Sequence, residues 1–105
     1  MHFSRSDDTV EVVRITGPTH NLLRLELGTA PGAIEVQNLD ESGPVQLRAD
    51  EVEREVLCGI AEANAQFGTN IAVRGICYAA SDSPPVSTYR LLAYALVEHV
   101  AVEPA

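Results

Sequence analysis

Leu23, Leu25 and Leu27 alternate with Arg24 and Glu26, the period-2 signature of a strand with one buried and one wet face. Three further segments read in the same way. Residues 9–16 (TVEVVRIT) are rich in β-branched side chains and predict a strand that forms a hairpin with the leucine strand, the adjacent Val12 and Val13 marking a bulge. Residues 33–39 set Ile34 and Val36 against Glu35 and Gln37, predicting a third, antiparallel strand. Residues 70–79 predict a fourth, with Ile71, Val73, Gly75 and Cys77 on one side and Ala72, Arg74, Ile76 and Tyr78 on the other; Gly75 would let a helix lie close.

Two segments carry helical spacing instead. Residues 50–67 open on an Asp50…Glu53 capping-box pattern and stop at Gly68. Val52, Val56, Ile60, Ala63 and Phe67 form the core face of that helix, with Arg54, Cys58, Ala61 and Ala65 roughly opposite. Ser83 followed by Pro84 predicts the start of a second helix, which runs to about Val102 and buries Tyr89, Leu92, Ala93, Leu96 and Val100. Residues 1–8 are left as a flexible N-terminus, 9–102 as a single domain and 103–105 as a tail.

The order β-β-β-α-β-α predicts an α+β fold, a two-layer sandwich with one mixed four-stranded sheet and two helices on one face. Over residues 9–102 this order resembles the superfold of the second domain of ribosomal protein S5, seen also in domain IV of elongation factor G. The resemblance implies the same sandwich. That superfold serves RNA binders, small-molecule kinases and ATPase transducer domains, so it implies no single activity, and no motif of this chain carries a family residue role.

Composition narrows the partners. A chain of 105 residues with 46% hydrophobic content is long enough for one core. Its 15 acids face only 7 basic residues, all arginine, and the net charge of −8 argues against nucleic acid, whose phosphates need a basic surplus. Between residues 35 and 62 there are eight acids and two arginines, so most of the charge is concentrated there. Asp50, Glu51 and Glu53 suit the positive end of a helix dipole. An inhibitor that offers carboxylates such as Asp40 and Glu41 to a basic partner is one functional reading. The opening Met1-His2-Phe3-Ser4-Arg5 lacks the apolar run of a leader, and the apolar-rich residues 91–102 fall short of the roughly 20 that cross a bilayer. A cytoplasmic protein with no membrane contact is expected, with Cys58 and Cys77 as reduced thiols.

Candidate chemistry is sparse. The turn over residues 16–21 gathers an imidazole, an amide and two hydroxyls, and a small-molecule site there would use His20 and Asn21 with Tyr78 or Asp82. Gly, Pro and Asn equally serve the turn itself. Residues 81–85 precede the second helix, where an anion could sit, but Asp82 already brings a carboxylate, so Asp82 or Ser83 is expected to cap that helix. His2, His20 and His99 are scattered, and only His99 and Glu103 stand at i, i+4, so no metal and no cofactor is expected. Cys77 reads as buried, and Cys58 lies among Glu55 and Glu62, the wrong setting for a thiolate nucleophile. No catalytic residue is assigned. The strongest feature is a second apolar face on the second helix, formed by Leu91, Ala95 and Val102 with Tyr94 beside them, and matched by the small-residue stripe Cys58, Ala61 and Ala65 on the first. The leading expectation is a non-catalytic interaction domain, a homodimer built on that face.

Overall fold

The computed structural model describes residues 1–16, 19–29 and 32–102. Its elements are β1 (His2–Ser6), β2 (Thr9–Thr16), β3 (Thr19–Leu27), β4 (Glu35–Asn38), α1 (Ala49–Phe67), β5 (Val73–Tyr78) and α2 (Thr88–Val102). The fold is α+β, with one mixed sheet and two helices, and the sheet has five strands rather than four, in the order β1-β2-β3-β5-β4. The additional strand is β1, which falls within the stretch expected to be a flexible N-terminus. Its only large apolar residue is Phe3, too little to show a period. Its pairing comes from the tight turn at Asp7 and Asp8, where Asp7 takes a left-handed φ of 54° and Ser6 meets Thr9.

Three further expectations about the strands change. No bulge occurs at Val12 and Val13, whose pairing with β1 and β3 is continuous. The irregularity lies between Glu26 and Leu27, where Glu26 pairs with Gly75 and Leu27 with Val73, so Arg74 is the extra residue. That insertion flips the phase of β5: Val73, Ile76 and Tyr78 all enter the core although 73 and 76 differ in parity. Gly75 therefore lies beside Glu26, whose carboxylate oxygen would sit 3.0 Å from an added Cβ, and not beneath a helix. Third, β4 is not antiparallel. It lies beyond β5 at the sheet edge and runs parallel to it, because α1 carries the chain back between the two.

Both helix starts also move. α1 begins at Ala49 after Arg48, an extended residue with no side-chain cap bond, so Asp50 is already helical and the capping box does not form. Asp50 and Glu51 instead occupy the first turn, and Arg48 pairs with them at 3.4 and 3.8 Å. At the other end Gly68 takes the left-handed conformation (φ 66°) and donates its N–H to Asn64. The Asn64 side chain then holds Thr69 and both main-chain groups of Ile71, which aims the chain into β5. α2 begins at Thr88, four residues after Pro84, the first helical position expected. Ser83 cannot open a helix because its main chain pairs with β3, its N–H donating to the His20 carbonyl at 3.1 Å.

The core lies between the inner face of the sheet and the two helices. Val10, Val12, Leu23, Leu25, Ile76 and Tyr78 meet Val52, Val56, Ile60 and Ala63 of α1 and Tyr89, Leu92, Ala93, Leu96 and Val97 of α2, with Phe67 and Val100 half-buried at its margin. The helices pack most closely at Gly59. A Cβ placed there would stand 2.2 Å from the Arg90 carbonyl oxygen, so only glycine fits. Gly59→Ala is expected to force α1 and α2 apart and cost about 1–3 kcal/mol, read as a lower urea midpoint at unchanged slope.

Candidate functional site

β3 is longer than the strand it pairs with. β5 ends at Tyr78, opposite Leu23, leaving residues 20–22 of β3 without a neighbouring strand on that side. The loop before α2 takes the vacant place. The Leu22 N–H donates to Asp82 Oδ2 at 2.7 Å, the His20 N–H to Ser83 Oγ at 3.2 Å, and the Ser83 N–H returns to the His20 carbonyl. Asn21 faces inward, is buried, and donates its side-chain amide to the Ser83 carbonyl at 2.8 Å.

Asp82 is the centre of this arrangement. Its side chain is only 5% exposed, and its carboxylate accepts from the Leu22 N–H, from the Tyr89 hydroxyl at 2.9 Å and from His20 Nδ1 at 3.2 Å. A carboxylate in that setting is an acceptor for all three, so His20 carries its proton on Nδ1 and turns Nε2 toward solvent. The sequence-predicted residues His20, Asn21 and Asp82 are thus brought together across the fold. Asp82 does not cap α2 as expected, since the helix starts six residues later. Tyr78 lies in the core in register with Leu23 and is not one of the hydrogen-bonded members. Gly17 and Pro18 of the turn lie outside the described residues, as does Glu103, the predicted partner of His99.

Tyr89 and the Ser83 carbonyl are the members that sequence reasoning missed. Tyr89 sits on the predicted core face, and a tyrosine there needs a polar partner, which is the one available signal. Burial, and next the nearby Asp82 carboxylate, push the Tyr89 phenol far above its ordinary range. Burial also raises Tyr78 and, despite the opposing pull of Arg24, the Cys77 thiol. Cys58 and Cys77 are both free thiols, the first exposed and the second buried.

A second polar lock stands beside β4. Asn38 Oδ1 accepts the N–H groups of Asp40 and Ala80, while the Asp40 carboxylate accepts from Gly43, Ser42 and Ser81. Asp40 is therefore engaged by its own loop and by Ser81 of the loop after β5. Among the described residues, no group of three or more His, Cys, Asp or Glu side chains is placed to hold a metal ion, and no helix is long and apolar enough to cross a membrane.

The outer side of the helical layer differs in kind. Leu91 is 61% exposed and Val102 70%. Tyr94 and Ala95 are half-buried, Tyr94 packing against Phe67 at 5.5 Å between ring centroids. Cys58, Ala61 and Ala65 of α1 are exposed. Between the helices an open groove of about 270 Å³ is lined by Glu62, Ser87, Arg90, Leu91 and Tyr94. Arg90 and Glu62 bond to each other across it; that bond draws the Glu62 carboxyl below its usual value and raises Arg90.

Two outcomes test the buried cluster. Asp82→Ala strips the acceptor from the Leu22 N–H and the Tyr89 hydroxyl at once, and is expected to cost more than Tyr89→Phe, which removes one donor and about 0.5–1.5 kcal/mol. Urea unfolding of the two variants gives the comparison. The pH dependence follows from the raised tyrosine. Its stabilising contribution is fully present below about pH 10, where unfolded tyrosine ionises, and is lost as the pH rises from there toward the folded value. Thermal melts should fall above about pH 10, less steeply in Tyr89→Phe. Comparison with family models, with curated proteins and with solved structures found no match to this chain, so its own geometry carries the functional reading.

Proposed function

We propose that the chain is a small non-catalytic interaction domain that self-associates through the outer face of its helical layer. The observation that carries this reading is Leu91, a large apolar side chain 61% exposed at the rim of an open groove, next to half-buried Tyr94 and the exposed small residues of α1. Taking a leucine side chain fully out of water is worth about 1.5–3 kcal/mol, and small residues opposite it let two helical layers approach closely. Charge favours a second copy as the occupant. At net −8 two copies repel over most of their surface, whereas at this groove Glu62 is offset by Arg90.

The polar cluster supports the non-catalytic part. Asn21 and Asp82 spend their side chains on Ser83, Leu22, Tyr89 and His20, which holds the fold together. A cytoplasmic setting fits the two unpaired thiols. The acidic-inhibitor reading has less support, since the Asp40 carboxylate is already engaged by Ser42, Gly43 and Ser81.

Light scattering after size exclusion should show association at tens of micromolar, and Leu91→Glu should abolish the part that depends on this face. Cys58 provides a native probe, its labelling by a maleimide slowing as the protein concentration rises. A chain whose mass and Cys58 labelling rate are unchanged by concentration and by Leu91→Glu would overturn the proposal.

A further inference from the structure

The sheet has two edges, and they differ. At one, β4 is four residues long, contains Glu35 and is followed by Asp40 and Glu41. At the other, β1 runs unbroken from His2 to Ser6 in continuous register with β2, with no bulge, no proline and no carboxylate. Natural sheets blunt exposed edges with such devices, because a row of outward N–H and C=O groups is a template for another strand. In an antiparallel ladder the bonded pairs alternate, and the Ser6↔Thr9 pair that closes the two-residue turn is a bonded one. Counting back, Ser4 and His2 bond to β2. Phe3 between them turns its main-chain N–H and C=O outward.

We propose that β1 pairs with β1 of a second copy, antiparallel about a two-fold axis at Phe3, joining two sheets into one of ten strands. The pairing goes beyond the helical-face contact and uses a different surface. It places Phe3 opposite Phe3 of the other copy, each donating its N–H to the other's carbonyl. Both rings lie on the inner side of the sheet, where Phe3 is half-buried and stacks on His99 at 4.6 Å with the planes 6° apart. Cross-strand aromatic pairs of this kind are favourable.

Electrostatics selects the occupant. Two copies of an acidic chain meet most easily where the strand carries no acid, and β1 meets that condition while the β4 edge does not. The two-fold also closes: each β1 is used once, so the contact ends at a pair, whereas β1-to-β4 pairing would continue without limit. Arg5 lies two residues from the axis on each copy, so the two guanidinium groups stand apart.

The test reads the Phe3 amide directly. Hydrogen exchange followed by NMR in the intact chain should show that amide exchanging about tenfold or more slower at high concentration than after about hundredfold dilution, with the Ser4 amide, already bonded to β2, changing little. Phe3→Glu opposes two carboxylates at the axis and should abolish edge pairing, read as a halved mass by light scattering with an unchanged far-UV spectrum. The two contacts fail separately. Leu91→Glu should leave the concentration dependence at Phe3 intact, and Phe3→Glu should leave that of Cys58 labelling intact. A Phe3 amide that exchanges at one rate across the dilution overturns the edge pairing, whatever Leu91→Glu does.

Discussion

A carboxylate taken out of water is tolerated only where donors surround it, and Asp82 meets that condition with two groups from β3 and one from α2. The main chain of β3 contributes the Leu22 N–H, α2 contributes the Tyr89 hydroxyl, and the start of β3 contributes the His20 ring. These contacts fix three things together: how the first residues of β3 are paired, how the loop after β5 runs, and where the first turn of α2 lies over the sheet. Tyr89 is fully buried at the head of the helix, so its position on Asp82 sets the depth at which Leu92, Ala93 and Leu96 enter the core. Gly59 does the same from the other side. With no side chain there, α1 lies against the Arg90 carbonyl, and both helices fit over one face of the sheet.

The parts of the fold that depend on local period were legible in the sequence. Leu23, Leu25 and Leu27, the faces of α1, and the stop at Gly68 follow from spacing and from one residue's dihedral preference. What stayed hidden depends on contacts between distant residues. Asp82 stands just ahead of Ser83 and Pro84, which locally look like the opening of a helix, and nothing nearby reports that β3, some 60 residues earlier, offers it an N–H. The phase of β5 was lost to a bulge whose cause lies across the ladder at Glu26 and Leu27. β1 was missed because a strand at the edge with one apolar side chain has no alternation to read; its turn at Asp7 specifies it instead.

The candidate site divides along the same line. His20, Asn21 and Asp82 stand out in the sequence as polar residues near turns, and the fold collects them into one hydrogen-bonded cluster. The Asn21 amide and one contact of the Asp82 carboxylate close main-chain vacancies left where β5 is shorter than β3, and the other carboxylate contacts take the Tyr89 hydroxyl and the His20 ring. The residues of the apolar face were chosen because the pattern has one face too many for a helix packed on one side. Leu91 and Val102 stay exposed because the first helix meets α2 along Gly59 and Ala93 instead.

Covering only one side of the sheet leaves the molecule with two unlike surfaces. On the open side of the sheet Glu11 pairs with Arg24, and Arg74 lies between Glu26 and Asp8 while donating to the Leu27 carbonyl, so its cations are shared among a larger number of carboxylates. A second copy approaching there meets like charge. The helical side is not poor in acid, since α1 carries Asp50, Glu51, Glu53, Glu55 and Glu62, the first two held by the helix dipole and by Arg48, whereas α2, with Glu98 against Arg90, and the β1 edge, with no acid, are close to neutral. Because the strands of an antiparallel pair about a two-fold share one sheet plane, edge pairing at β1 would put both helical layers on the same side. The acid-rich sheet faces would then form one continuous outer surface, and the two apolar helical faces would be presented together. The distribution of charge therefore acts on assembly as a directional constraint: it disfavours contact through the sheet face and through the first turns of α1, and leaves the α2 side of the helical layer and one edge as the surfaces on which like copies can meet.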